Sequence, residues 1–117
     1  MRRGLGGIQR VRPADLRHRI TIEKQTQTKD SSHQVIVTYS TRFSQEPASY
    51  EEVTGGEFLR GRQVTASANA VFVVNYRFGY TTRDRILHDG TYFEIVRVHS
   101  PKGIKRYLEL EAKATGV

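Results

Sequence analysis

Along residues 17–24, RHRITIEK, apolar and polar positions alternate: Ile20 and Ile22 fall on one face, Arg19, Thr21 and Glu23 on the other. Period two marks a half-buried strand, because successive side chains leave a strand on opposite sides. KDSS at 29–32 is turn chemistry and QVIVTYST at 34–41 is a second β-rich run, so together they predict a hairpin with a polar loop. QEPASYEEV at 45–53 is a weaker strand. Pro47 removes a ladder donor there, which predicts an edge strand or a bend.

The pattern breaks at TGGEFLRGRQVTASAN, residues 54–69. Thr54 or Gly55 is placed to cap a short helix, with Glu57 in the first turn, where a carboxylate favours the helix dipole. Gly61 holds that helix to one or two turns within a long loop. NAVFVVNYRF at 69–78 is nearly continuous in apolar residues, as in a strand covered on both faces. GYTTRD then leads to RILH at 85–88. Asp89-Gly90 is the strongest hairpin signal in the chain: a type I′ turn needs positive φ at both positions, which glycine adopts freely and aspartate tolerates. TYFEIVRVHS (91–100) returns, PKG (101–103) turns again, and IKRYLELEAKA (104–114) closes the series. In that last run Leu108, Leu110 and Ala112 are expected to face inward, and Tyr107, Glu109 and Glu111 outward. The predicted class is all-β: a small antiparallel barrel or sandwich of about six strands, with one long loop carrying a short helix.

Length adds that this is one domain, residues 16–117, preceded by an arm, residues 1–15. A chain of 117 residues buries enough surface for a single modest core. The net charge of +7 is unevenly spread. Residues 1–19 hold six arginines against Asp15 alone, a local +5, which leaves a nearly balanced body at +2. The arm MRRGLGGIQRVRP is basic but lacks the apolar stretch of a secretory signal, and Ala68–Val74 is far too short to span a bilayer. A soluble protein made in the cytoplasm, with no membrane partner, is expected.

Catalytic chemistry is poorly provided for. The chain has no cysteine, which removes disulfides, thiolate nucleophiles and Cys-ligated zinc. Its four histidines, at 18, 33, 88 and 99, show no metal-ligand spacing. His88–Asp89 resembles an acid–base pair, yet neighbours on a strand point apart and Asp89 is wanted by the turn. Glu51–Glu52 and Glu109/Glu111 fail as carboxylate pairs on similar grounds, and neither GLGG (4–7) nor GGEFLRGR (55–62) matches a phosphate loop. No enzyme, cofactor or metal site is expected. Tyr76, Phe78, Tyr80 and Tyr92 with scattered arginines suggest a single-stranded nucleic-acid-binding barrel as an alternative, although the same aromatics alternate as core residues do.

Three blocks carry a family resemblance. LRHRITIEK (16–24) is similar to the opening strand of the phage head–tail joining proteins, the head-closure or stopper proteins of long-tailed phages. VNYRFGYTTRDRILHDGTYFEIVRVHSPKGIKRYLELEAK (74–113) resembles their C-terminal half, and TGGEFLRGRQV (54–64) their middle loop. The chain departs from the family in lacking tryptophan and in having a longer arm. The resemblance implies a structural protein of the virion neck: small barrels in a ring, usually twelve-fold and sometimes six-fold, below the portal and its adaptor. Such a ring retains packaged double-stranded DNA, which passes through its channel, and offers a platform to the tail terminator or tail tube. Adaptor or tail-terminator subunit is the neighbouring alternative. Carried onto this sequence, the channel or subunit-contact loop is 53–69, with Thr54, Gly55, Gly56, Glu57, Phe58, Arg60 and Arg62 as its candidate residues. Many arginines gripping phosphate would brake DNA that must slide, so few are expected to line the channel. The arm residues Arg2, Arg3, Arg10 and Arg12 are instead expected to pin an acidic neighbouring subunit. Asp89 and Gly90 have a structural role in the turn, and His88 is left as a candidate subunit contact.

Overall fold

The computed structural model describes residues 15–59, 62–100 and 106–115. Eight strands follow in order: β1 (His18–Lys29), β2 (Val35–Glu52), β3 (Phe58–Leu59), β4 (Arg62–Gln63), β5 (Ala70–Asn75), β6 (Arg85–His88), β7 (Thr91–His99) and β8 (Tyr107–Ala114). Six of them close a barrel in the order β1-β2-β5-β8-β7-β6, with β6 pairing back to β1. All neighbours are antiparallel. Closure removes the open edges that a small sheet would otherwise leave to solvent. The alternating residues of the sequence fill its interior: Ile20, Ile22, Phe72, Ile86, Ile95 and Leu110 are each almost fully buried. At about 25 cal/mol per Å² of apolar surface, each such side chain contributes roughly 1.5–3 kcal/mol.

β2 is one strand of 18 residues where the sequence reads as two. Pro47 therefore lies in neither an edge strand nor a separate one. The bend alternative holds: Gln45 has φ 55°, and the β1–β2 register shifts between Ile20 and Ile22 and again between Ile22 and Glu23. Pairing of β2 with β5 begins only at Ala48, so the missing donor of Pro47 falls just outside that ladder. The Asp89-Gly90 turn has φ 51° and 79°, and His88 pairs with Thr91 across it, as a type I′ hairpin requires.

Two expectations are corrected. No helix forms in the described part of 53–69; the segment folds instead as the two-residue ladder of β3 and β4. Helix chemistry was present in a different guise. The Glu57 carboxylate accepts from the Thr54 amide, one half of a capping box, while the Thr54 carbonyl accepts from the Glu57 amide at 3.0 Å and closes a turn. Glu109 and Glu111 do leave the barrel on its outer side, yet they are buried rather than surface residues, because the 53–69 loop covers them.

β1 and β2 also run on past the barrel. β1 touches β6 only at residues 21–23, so 24–29 and 35–40 pair with each other alone. This finger makes the molecule 65 Å long and 27 Å across.

Candidate functional site

The loop at 53–69 is an excursion whose ends meet: the Val53 amide donates to the Asn69 carbonyl at 3.1 Å. Gly55 allows it to fold tightly, since a Cβ there would stand 1.8 Å from the Ala66 carbonyl oxygen. Gly56, at φ 89°, turns the chain next. Val64 then donates to the Glu57 carbonyl at 2.8 Å and Gly56 to the Val64 carbonyl at 3.1 Å, while the Gln63 side-chain amide donates to the Gly56 carbonyl at 2.8 Å. The turn residues thus make the loop a defined body rather than a slack connection.

That body is fastened to the barrel wall twice. A small apolar cluster outside the barrel joins Val64 and Ala68 to Val71, with Val53, Leu59 and Val96 around them. Beside it, the Arg62 guanidinium bridges Glu109 and Glu111, two neighbours on the outer face of β8. Its Nε lies 3.1 Å from Glu109 Oε1. The Thr65 amide donates to Glu111 Oε1 at 2.8 Å, and Arg97 stands 3.7 Å from the same carboxylate. Burial pushes the Glu111 carboxyl up, but the Thr65 hydrogen bond and the Arg62 charge outweigh it and hold the group below its usual value. Glu111 is 0% exposed and Arg62 only 16%. Such a pair is strong to break from one side, whatever its net worth.

Of the predicted loop residues, Thr54, Gly55, Gly56 and Glu57 build the turn, Phe58 projects at 70% exposure, and Arg62 is the clasp. Arg60, Arg2, Arg3, Arg10 and Arg12 lie outside the described residues. Asp89 and Gly90 make their turn at the far end of β6. His88 meets His18 of the adjacent strand β1, with Nε2 and Nδ1 3.0 Å apart and the Tyr50 ring 4.9 Å away. Among the described residues, no group of three or more His, Cys, Asp or Glu side chains could hold a metal ion.

The body's arginines are largely committed to internal partners. Arg85 pairs with Glu23 at 2.6 Å and lies over both Tyr39 and Tyr92. Arg77 pairs with Glu46 at 3.6 Å over the Phe43 ring, and Arg42 reaches Asp84 and the Gly79 carbonyl. Among the aromatics proposed for base stacking, Tyr80 is buried and Tyr76 packs on the core, leaving Phe78 as the fully presented ring at 89% exposure. A groove tracking a single strand, with successive stacking rings, is not assembled by these residues.

Sequence reasoning missed the Glu109–Glu111 clasp, although a signal existed. β8 pairs with β5, where Val73 lies opposite Glu109 and Val71 opposite Glu111. A strand apolar on both faces implies that something covers its outer side, and the cover extends to its neighbour. The run Val35-Ile36-Val37 carried a similar message. Its apolar residues follow without alternation, yet in the single chain all three are exposed.

The family model for phage head completion proteins matches residues 11–115, almost the full chain. The chain belongs to that family. Membership implies a structural rather than catalytic role at the head–tail region of the virion, with other head or tail components as partners. The solution structure of protein SF1141 from Shigella flexneri 2a is similar at TM-score 0.68 and 22% identity, covering 87% of this chain and 95% of that one. At that identity the likeness establishes the shared fold. No curated protein matches the chain significantly.

Proposed function

We propose that the chain is the subunit of a ring that seats below the portal and its adaptor, retains packaged DNA and carries the tail. The observation that carries this reading is the family match over 11–115. The disposition of charge supports it. Arginines of the barrel are tied to carboxylates and rings rather than arrayed for phosphate, as suits a channel through which DNA must slide. The loop at 53–69 is the element proposed to reach the channel: it is compact, its ends are joined, and it presents an exposed Phe58. In the single chain the Arg62 clasp parks it against β8.

The test uses DNA-filled heads that lack this protein. Added chain is expected to bind them and make their DNA nuclease-resistant. A variant with 58–63 replaced by Gly-Gly, which keeps Thr54 and Glu57, and with Glu109→Gln and Glu111→Gln so that no carboxylate is left without its cation, should bind equally but let DNA escape. Heads that keep their DNA with this variant would refute the gate role. A chain that adds to tails and not to heads would be a tail terminator instead.

A further inference from the structure

We propose that the finger formed by β1 and β2 is the subunit-joining element, and that its apolar face enters a groove at the opposite end of a second copy of this chain. The inference rests on the ring reading above and names the contact that would hold such a ring.

The finger lacks what a lone ribbon needs. A two-stranded hairpin is marginal in water unless a further strand or layer covers it. Here Val35 is 58% exposed and Val37 46%. Residues directly paired across the ladder share a face, so the register Val35↔Lys29, Val37↔Gln27 and Tyr39↔Gln25 puts Val35, Val37, Tyr39 and Lys29 together. That face carries Val35, Val37 and Tyr39 along one strand and Gln25 and Gln27 along the other, with a cation at its outer end. The finger is also preorganised. At its tip Asp30 Oδ1 accepts from the Ser32 and Gln34 amides at 2.8 and 2.9 Å, and at its root the Arg85 guanidinium lies 3.6 Å from the Tyr39 ring centroid. Little ordering is left to oppose docking.

The complementary feature is a groove of about 510 Å³ beside the 53–69 loop. Its lining combines Tyr50, Val53 and Phe93 with the polar Thr54 and Thr91 and the acidic Glu52 and Glu57. In the proposed contact the valines and Tyr39 pack on Tyr50, Val53 and Phe93, and Lys29 faces Glu52 and Glu57. Charge also argues against DNA as the occupant, since Lys24 and Lys29 are partly offset by Asp30 and leave the finger near neutral.

The finger assigned to the groove belongs to a second copy and not to the same chain. Val35 at the finger and Glu52 at the groove are the two ends of β2, roughly 55 Å apart at ~3.3 Å per residue. Within one chain they cannot meet. A patch and its complement on opposite ends of one molecule form head-to-tail contacts, which close into a ring when the rotation allows.

The absence of native cysteine makes the test direct. Full-length Val37→Cys and Thr91→Cys chains are mixed, assembled on DNA-filled heads and treated with a short bis-maleimide. A covalent dimer is expected only when both variants are present, and the double variant should give a ladder. Val37→Glu, a change at an exposed position off the barrel, should leave thermal unfolding unchanged and raise the dissociation constant between copies at least ~10-fold. Rings that assemble without the Val37–Thr91 cross-link, or cross-links from Val37→Cys only to another head component, overturn the finger–groove contact while the ring reading stands. Wild-type chain that stays monomeric on the heads overturns both.

Discussion

Replacing Arg62 with alanine tests the clasp, and with it the claim that the 53–69 loop is a separately held body. The substitution leaves Glu109 at 4% and Glu111 at 0% side-chain exposure facing each other on one strand. Removing one partner of a buried ion pair costs about 3–5 kcal/mol. Two features reduce that figure: Glu111 keeps the Thr65 amide at 2.8 Å and Arg97 at 3.7 Å, and the loop can lift to readmit water. The loss cannot exceed the free energy that docks the loop, so ~2–4 kcal/mol is expected, which lowers the melting temperature by roughly 10 °C or more. Hydrogen exchange should locate it. The amides of Val64 and Thr65, bonded at 2.8 Å to Glu57 and Glu111 respectively, should lose protection while Phe72 and Leu110 in the barrel keep theirs. The sign in pH is also set. The folded Glu111 carboxyl lies below its unfolded value of 4.5, so its contribution is complete above pH 4.5 and is lost as pH falls through the folded value. Without Arg62 the carboxyl loses part of what holds it low, so acid unfolding should begin at higher pH. Identical melting, exchange and acid limbs in Arg62→Ala and wild type would refute the clasp.

Two further outcomes follow from local geometry. Gly90→Ala introduces a Cβ into open space at φ 79°, so its cost is backbone strain alone, about 1–2 kcal/mol by denaturant titration; an unchanged midpoint would contradict the type I′ turn. Burial, and then the neighbouring His18, hold the His88 pKa below 6.5 against the opposing pull of Asp89. Stability from this group is therefore full above pH 6.5 and falls as pH drops through the folded value. Melting curves of His88→Gln should be flatter than wild type over that window, with the rest of the slope carried by His99, whose pKa is also lowered by burial.

Much of the barrel was legible because its signals are local. Ile20 and Ile22 alternate with polar residues, Asp89-Gly90 needs only two adjacent positions, and the inward face of Leu108, Leu110 and Ala112 is a period-two pattern. What escaped depends on distant partners. Thr54 and Glu57 carry capping chemistry that serves a helix or a turn equally well, and only the return of Val64 to the Glu57 carbonyl decides for the turn. Glu109 and Glu111 alternate like surface residues until Arg62, 47 and 49 positions away, is brought over them. Pro47 marked either a strand edge or a bend, and its sequence could not choose between them; the bulge at Gln45 makes it a bend within a single strand that passes from barrel to finger. The finger itself was written in Val35-Ile36-Val37, a run suited to cover on both faces, which the single chain leaves exposed.

The central claim is that this member of the head completion family closes filled heads as a ring. Electron cryo-microscopy of DNA-filled, tail-less heads, before and after addition of the purified chain, tests it most directly. A ring of barrels should appear below the portal and adaptor, with DNA density held above it. Heads that take up no such ring, with the added chain left monomeric in solution, would contradict the account.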